Sequence, residues 1–292
     1  MKAANDLNVN LLEPFSVRHR TRASLQQCVD TMTDGNPFLI GDPANRAFVC
    51  LNQKAGSTTW KLAFLRAMPE GAAYHDLLRS PHSAPAIPGC HNYTSANNFR
   101  FMVVRNPYSR LLSGYLDKCI LQGNLCPVDV SLARKNPVSG FAQLVAHIRS
   151  GANLNSHFTL LTQHCGIQDG YDYYLPTEQM DLWHSPFSNV TGLTQALRFG
   201  WNMTTHWWSG KSECFYQVRG HDCDGHSSDG VLGGVGHSFH ASSADSQLDV
   251  FFNPSLARAV TNWAEPDLAE FGYRPWGGVN GLAYLRSISA RL

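Results

Sequence analysis

The chain carries no excess charge of either sign: 23 lysines and arginines stand against 22 aspartates and glutamates over 292 residues, a net charge of +1. That balance gives no basis for general attraction to nucleic acid, so affinity for an anion has to arise from a local patch. Residues 18–22 (Arg18, His19, Arg20, Arg22) and the Arg134, Lys135 pair are candidates, although short basic clusters are more often solvated surface. The opening MKAANDLNVNLLEPF has neither an apolar signal core nor the roughly 20 apolar residues that span a bilayer. Also missing is a GxxxxGK[ST] loop, which argues against a magnesium nucleoside triphosphate as the natural ligand. What is present suits one large core, because 43% hydrophobic content over this length fits a single α/β domain with insertions. The expected division is an N-terminal extension over 1–45, a domain over 46–276 with a loop insertion at about 200–240, and a tail over 277–292.

Two segments carry the chemistry. In FVCLNQKAGSTTWKLAFLRAM, residues 48–68, the apolar run 47–51 reads as a buried strand and Trp60, Ala63, Phe64 and Ala67 as one face of a helix. Lys54, Ala55, Gly56, Ser57, Thr58 and Thr59 lie between them, with Ser57 or Thr58 as the helix cap. A phosphate there meets unpaired N–H groups and the positive end of the helix dipole, with Gly56 permitting close approach and Lys54 adding a point charge. The lysine precedes the glycine, unlike a Walker loop, and an ordinary βα turn of the same composition is the plain alternative.

In FRFMVVRNPYSRLLSGYLDK, residues 99–118, a second strand runs over 99–104. Pro107 suits a first helical turn, and Leu111, Leu112, Tyr115 and Leu116 mark an apolar face. Arg105 at the strand end and Ser113 two turns into the helix suit a second phosphate, with a planar fork and a hydroxyl donor. A purely structural reading has Arg105 capping a carbonyl and Ser113 at a tight helix contact. The pair of segments predicts a parallel sheet flanked by helices, with ligand at the carboxyl ends of the strands.

These motifs resemble the sulfotransferases that use 3′-phosphoadenosine 5′-phosphosulfate (PAPS). Lys54 and its loop match the 5′-phosphosulfate motif, and Arg105 with Ser113 matches the 3′-phosphate motif. VVRNPYSRLLSGYLDK is similar to the carbohydrate sulfotransferases of the chondroitin, dermatan and HNK-1 type, whose motif reads roughly VRxPxxRLxSxYxxK. Asn155, His157, Phe158, Cys165, Tyr171, Asp172 and Glu178 resemble that branch's N-x-H-W, C, YD and E block. Phe251, Phe252 and the stretch 267–273 resemble its closing helix and FGY ending. Gln53 replaces the usual proline, Phe158 the usual tryptophan, and the cysteine that normally follows Cys165 is absent.

The resemblance implies a P-loop-like α/β fold, PAPS as co-substrate without a metal, a glycan or other hydroxyl-bearing acceptor, and the Golgi lumen. It further implies a type II membrane protein, whose anchor is then expected upstream of this sequence. His157 is the first choice for the base that takes the acceptor's proton, with His75, Asp76, His82 and His91 as rivals. Glu178 is a candidate to orient the base or bind acceptor. The acceptor groove is expected from loops at 123–154 and 192–238.

Eight cysteines permit disulfides in an oxidising lumen, with Cys119–Cys126 and Cys214–Cys223 as plausible bridges, though free buried thiols fit the count nearly as well. Sequons stand at Asn92, Asn189 and Asn202. His221, Cys223, His226 and His237 match no standard zinc spacing. Two other classes fit less well: a nucleotide kinase, which needs the missing Walker loop, and an inactive glycan-binding relative, toward which only Gln53 points.

Overall fold

The computed structural model describes residues 15, 39–42, 47–57, 60, 99–152, 154–164, 171–193 and 244–276. Four strands form one sheet in the order β1 (Leu39–Asp42), β2 (Ala47–Leu51), β3 (Phe99–Val104) and β4 (Tyr173–Pro176). β2, β3 and β4 are parallel, with Cys50 opposite Met102 and Val103 opposite Leu175. β1 runs antiparallel to β2, Ile40 opposite Val49, so the sheet is mixed at this edge where a parallel sheet was expected. The connection from Asp42 to Ala47 is the physical reason: a short link allows only an antiparallel return, whereas parallel neighbours need a crossover.

Both faces of the sheet are covered, which is why its central strand is apolar on every position after the first two. Period two divides the side chains. Phe101 meets Phe187 edge-on with 4.9 Å between ring centroids, and Trp60 meets Trp183 at 5.6 Å, so this face packs on helix α4 (Met180–Val190). Cys50, Met102 and Val104 look the other way, into the main core with Leu111, Leu112, Tyr115 and Phe141. That core is closed by α5 (Ala244–Phe251), α6 (Pro254–Trp263) and α7 (Glu265–Phe271), named after α1 to α4 in chain order.

Helix α1 (Pro107–Tyr115) is buried at every position. Asn106 caps it, accepting from Tyr108 N–H at 3.0 Å, and Pro107 occupies the first turn, where its missing N–H costs nothing. The chain then continues as a π-helical stretch, Leu116–Gln122, and stops at Gly123, whose φ of 69° is left-handed. Cys119 and Cys126 are disulfide-bonded across this stop, as the spacing suggested. Cys50 is also disulfide-bonded.

The stretch 123–154, expected to consist of loops, is largely helical. α2 (Val130–Lys135) is capped by Asp129, and α3 (Pro137–Arg149) by Asn136. Phe141, Leu144, Val145 and Ile148 are spaced three and four apart and bury one face of α3, a pattern that was legible before the fold was known. Gly140 lets α2 approach, since a Cβ there would stand 2.6 Å from Ala133 Cα.

Candidate functional site

Because β2, β3 and β4 are parallel, their carboxyl ends share one edge, and each is followed by a charged residue: Lys54 after β2, Arg105 after β3 and Glu178 after β4. This is the edge at which ligands meet an α/β sheet.

The β2 loop turns through two left-handed residues, Lys54 (φ 66°) and Gly56 (φ 79°). Glycine adopts this geometry freely and lysine only under external constraint. Ala55 N–H donates to Asn52 O at 3.1 Å, closing the turn, and Trp60 N–H donates to Gly56 O at 3.1 Å, marking the helix start. Trp60 is helical as expected, and Ser57, expected as a cap, is already within the helix. Thr58, Thr59, Ala63, Phe64 and Ala67 lie outside the described residues, as do the rival bases His75, Asp76, His82 and His91.

The second unit supplies the constraint. Arg105 Nη1 donates to Lys54 O at 3.1 Å, while its Nη2 reaches Asp245 Oδ2 at 3.0 Å on the exposed start of α5. Lys54 Nζ forms an ion pair with Asp117, in the π-helical stretch. Asp117 Oδ1 also accepts from Gln122 Nε2 at 2.9 Å, and Lys118 Nζ stands 3.4 Å from Asp117 Oδ2. Among the described residues two ammonium groups thus share one carboxylate in a nearly buried cluster, with a positive surplus. Burial pulls the Lys54 ammonium below the ordinary lysine range, and Asp117 pulls it back up.

Ser113 is buried within α1. Its neighbour Gly114 makes a tight contact, since a Cβ there would stand 3.1 Å from His157 O and 3.2 Å from Phe158 Cε1. The 154–164 segment therefore lies directly against the helix that carries Ser113.

His157 is 9% exposed. Its backbone N–H donates to Asn155 Oδ1 at 3.0 Å, and its Nδ1 lies 3.0 Å from the same oxygen. An amide oxygen only accepts, so Nδ1 carries the proton and Nε2 is the basic nitrogen of the ring. Asn155 is itself fixed by Nδ2 donating to Leu125 O.

Among the described residues Glu178 bonds neither to His157 nor to a cation. Its Oε1 accepts from Asn106 N–H at 2.7 Å and its Oε2 from Tyr273 O–H at 2.9 Å, tying the end of β4 to the start of α1 and to the FGY ending. Solvent reaches Glu178, yet protein surrounds its carboxyl, and that enclosure pushes its pKa up against these two bonds.

Four residues with no role assigned from sequence hold the site's frame. His164 Nε2 lies 2.6 Å from Thr159 Oγ1 and its Nδ1 3.2 Å from Asn52 Oδ1, while Asn52 Nδ2 donates to Val103 O at 2.8 Å. The ring is neutral, since burial first and then the Arg110 charge lower its pKa to about 3. Asp267 accepts from Leu161 N–H at 2.8 Å and Thr162 N–H at 2.9 Å, fastening the same segment to α7. Arg110, wholly buried in α1, donates through Nη2 to Thr159 O, and among the described residues its Nε and Nη1 have no hydrogen-bond partner.

Among the described residues no cluster of histidine, cysteine, aspartate or glutamate could hold a metal, and no helix is long and apolar enough to cross a membrane. His221, Cys223, His226, His237 and the Cys214–Cys223 pair lie outside those residues, as do the sequons at Asn92 and Asn202; Asn189 is exposed at the end of α4. No curated protein and no solved structure matches the chain. Residues 38–175, just under half of the chain and the part that holds Lys54 and Arg105 but not Glu178, match the model of the sulfotransferase family, and sulfuryl transfer is the activity that this match supports.

Proposed function

We propose that the protein transfers the sulfuryl group of PAPS to a hydroxyl of a carbohydrate acceptor, on a P-loop-like edge of the sheet. The observation that carries this reading is the left-handed turn at Lys54, whose carbonyl Arg105 holds while pairing with Asp245, and whose ammonium shares Asp117 with Lys118. A nearly buried positive surplus at parallel strand ends is a receptor for an anion, and the donor set of ammonium, guanidinium, hydroxyl and helix N–H groups fits a nucleotide phosphorylated at both ends.

PAPS, when bound, supplies a sulfuryl group and a leaving phosphate on which negative charge grows. Lys54 and the N–H groups at the start of the Ser57 helix stabilise that charge. Arg105 and Ser113 bind the 3′-phosphate and set the nucleotide's register. His157 Nε2 takes the proton of the attacking hydroxyl, with Asn155 holding the ring in the tautomer this requires. Most of the acceleration then comes from positioning and electrostatics, as in phosphoryl transfer. The resemblance to the Golgi glycan branch supports a luminal protein, and the Cys119–Cys126 disulfide fits an oxidising compartment.

The test is a thermal-shift titration with 3′-phosphoadenosine 5′-phosphate (PAP), ADP and ATP, with and without Mg²⁺, on the parent and on Arg105→Ala. Stabilisation by PAP without metal, lost in the variant, is the expected outcome. A preference for Mg-ATP would overturn the donor assignment, and no response to any nucleotide would point to an inactive relative.

A further inference from the structure

We propose that Asp117 is a positioning residue that holds Lys54 at the mouth of the loop while no donor is bound and exchanges it for the incoming anion. This inference rests on the donor site described above and assigns a role to a residue that the resemblance leaves unspecified, one of the two variable places between Tyr115 and Lys118.

The geometry argues for a built device. Lys54 keeps a left-handed backbone conformation that lysine rarely adopts, and two contacts from the second unit hold it there: Arg105 on its carbonyl and Asp117 on its ammonium. Asp117 is itself fixed. In a π-helix residues five apart stack, so Gln122 stands over Asp117 and donates to Oδ1 at 2.9 Å, leaving Oδ2 for Lys54. Gln122 Oε1 accepts from Lys118 Nζ at 2.9 Å, which keeps the amide turned that way. The Cys119–Cys126 disulfide and the left-handed Gly123 close the stretch.

A carboxylate so placed has two consequences. It neutralises Lys54 while the site is empty, and it competes with an anion for the same ammonium. Lys118 remains beside Asp117 when Lys54 leaves, so the carboxylate is never stranded.

The experiment uses the full chain and compares the parent with Asp117→Asn, Asp117→Glu and Gln122→Ala. PAP affinity is measured by calorimetry, and the acetylation rate of Lys54 by acetic anhydride is followed by peptide mass spectrometry with and without PAP. In Asp117→Asn, Lys54 is expected to acetylate at least about five-fold faster, and PAP to bind roughly five-fold more tightly, because a nearby opposing charge is gone. Asp117→Glu should return both values toward the parent. Gln122→Ala, altered at an exposed position, should move both in the same direction by a smaller factor and serves if Asp117→Asn fails to fold.

Unchanged Lys54 acetylation in Asp117→Asn and Gln122→Ala, or weaker PAP binding in both, overturns the proposal, since a merely structural ion pair would lose affinity along with stability. Absence of PAP binding by the parent overturns the donor-site reading itself, and the proposal with it. The two failures are therefore separable.

Discussion

The two strand-loop-helix units are built on the same plan and held in opposite ways. In the second, Asn106 and Pro107 start a helix whose every residue is buried, and the loop between strand and helix is two residues long. In the first, the strand passes through two left-handed residues before its helix begins, and the loop borrows its shape from elsewhere: Arg105 holds Lys54 O, Asp117 holds Lys54 Nζ, and Asn52 is fixed to Val103 O. The second unit is a platform and the first is a part mounted on it. A sequence that lacks the proline usual before the lysine can still present its loop, because the constraint comes from across the sheet rather than from the loop's own backbone.

That contrast can be broken from either side. Lys54→Ala removes the mounted part's charge and leaves Asp117 to Lys118 and Gln122, so turnover should fall by about 10²–10³-fold with little change in melting temperature. Steady-state transfer assays beside a thermal melt would show it, and equal losses in both would mean that the first unit is structural. Leu112→Ala attacks the platform: a fully buried leucine in α1 is lost, and urea unfolding should show a cost of about 3 kcal/mol. Melting at parental temperature would deny that α1 is the platform.

A smaller effect separates the platform from its extension. Cys119→Ser with Cys126→Ser opens the brace on the π-helical stretch and should cost about 2 kcal/mol, together with faster amide exchange at 116–122 and less at 107–115. Exchange that rose equally across both would merge them into one unit.

The least drastic test is pH. His164 has a folded pKa of about 3 against an ordinary 6.5, so between those values the unfolded chain binds the extra proton. Its contribution to stability is complete above pH 6.5 and is lost progressively as the pH falls toward 3. Denaturant midpoints measured from pH 7 to pH 4 should therefore decline, and His164→Asn should flatten the decline. A His164→Asn protein with the parent's full slope would show that other groups set it.

Much of the frame was legible because its signals are local. The apolar runs 47–51 and 99–104 became β2 and β3 at those bounds, and Pro107 opened α1. The helices α2 and α3 stand where loops are expected, although Asp129, Asn136 and Pro137 mark their starts and the apolar spacing of Phe141 to Ile148 supplies the face. β1 was missed because a four-residue strand without distinctive pattern is recognisable only through its partner. At the site, Lys54, Arg105, Ser113 and His157 were all singled out from motif and residue type. Asp117, His164, Asn52 and Asp267 were not, and each acts through a partner far along the chain, Asp117 through Lys54 across 63 residues and His164 through Asn52 across 112.

The sequence by itself determined where strands give way to helices, and which cations and hydroxyls stand at those junctions, because propensity, capping and hydrophobic period act over a few residues. Only the tertiary structure decided which of those groups face one another: that Arg105 grips the Lys54 carbonyl, that Asp117 occupies its ammonium, and that Gly114 admits the His157 loop. Those outcomes depend on parallel strand register and on burial, which bring distant residues within bonding distance and are properties of the packed chain rather than of any segment.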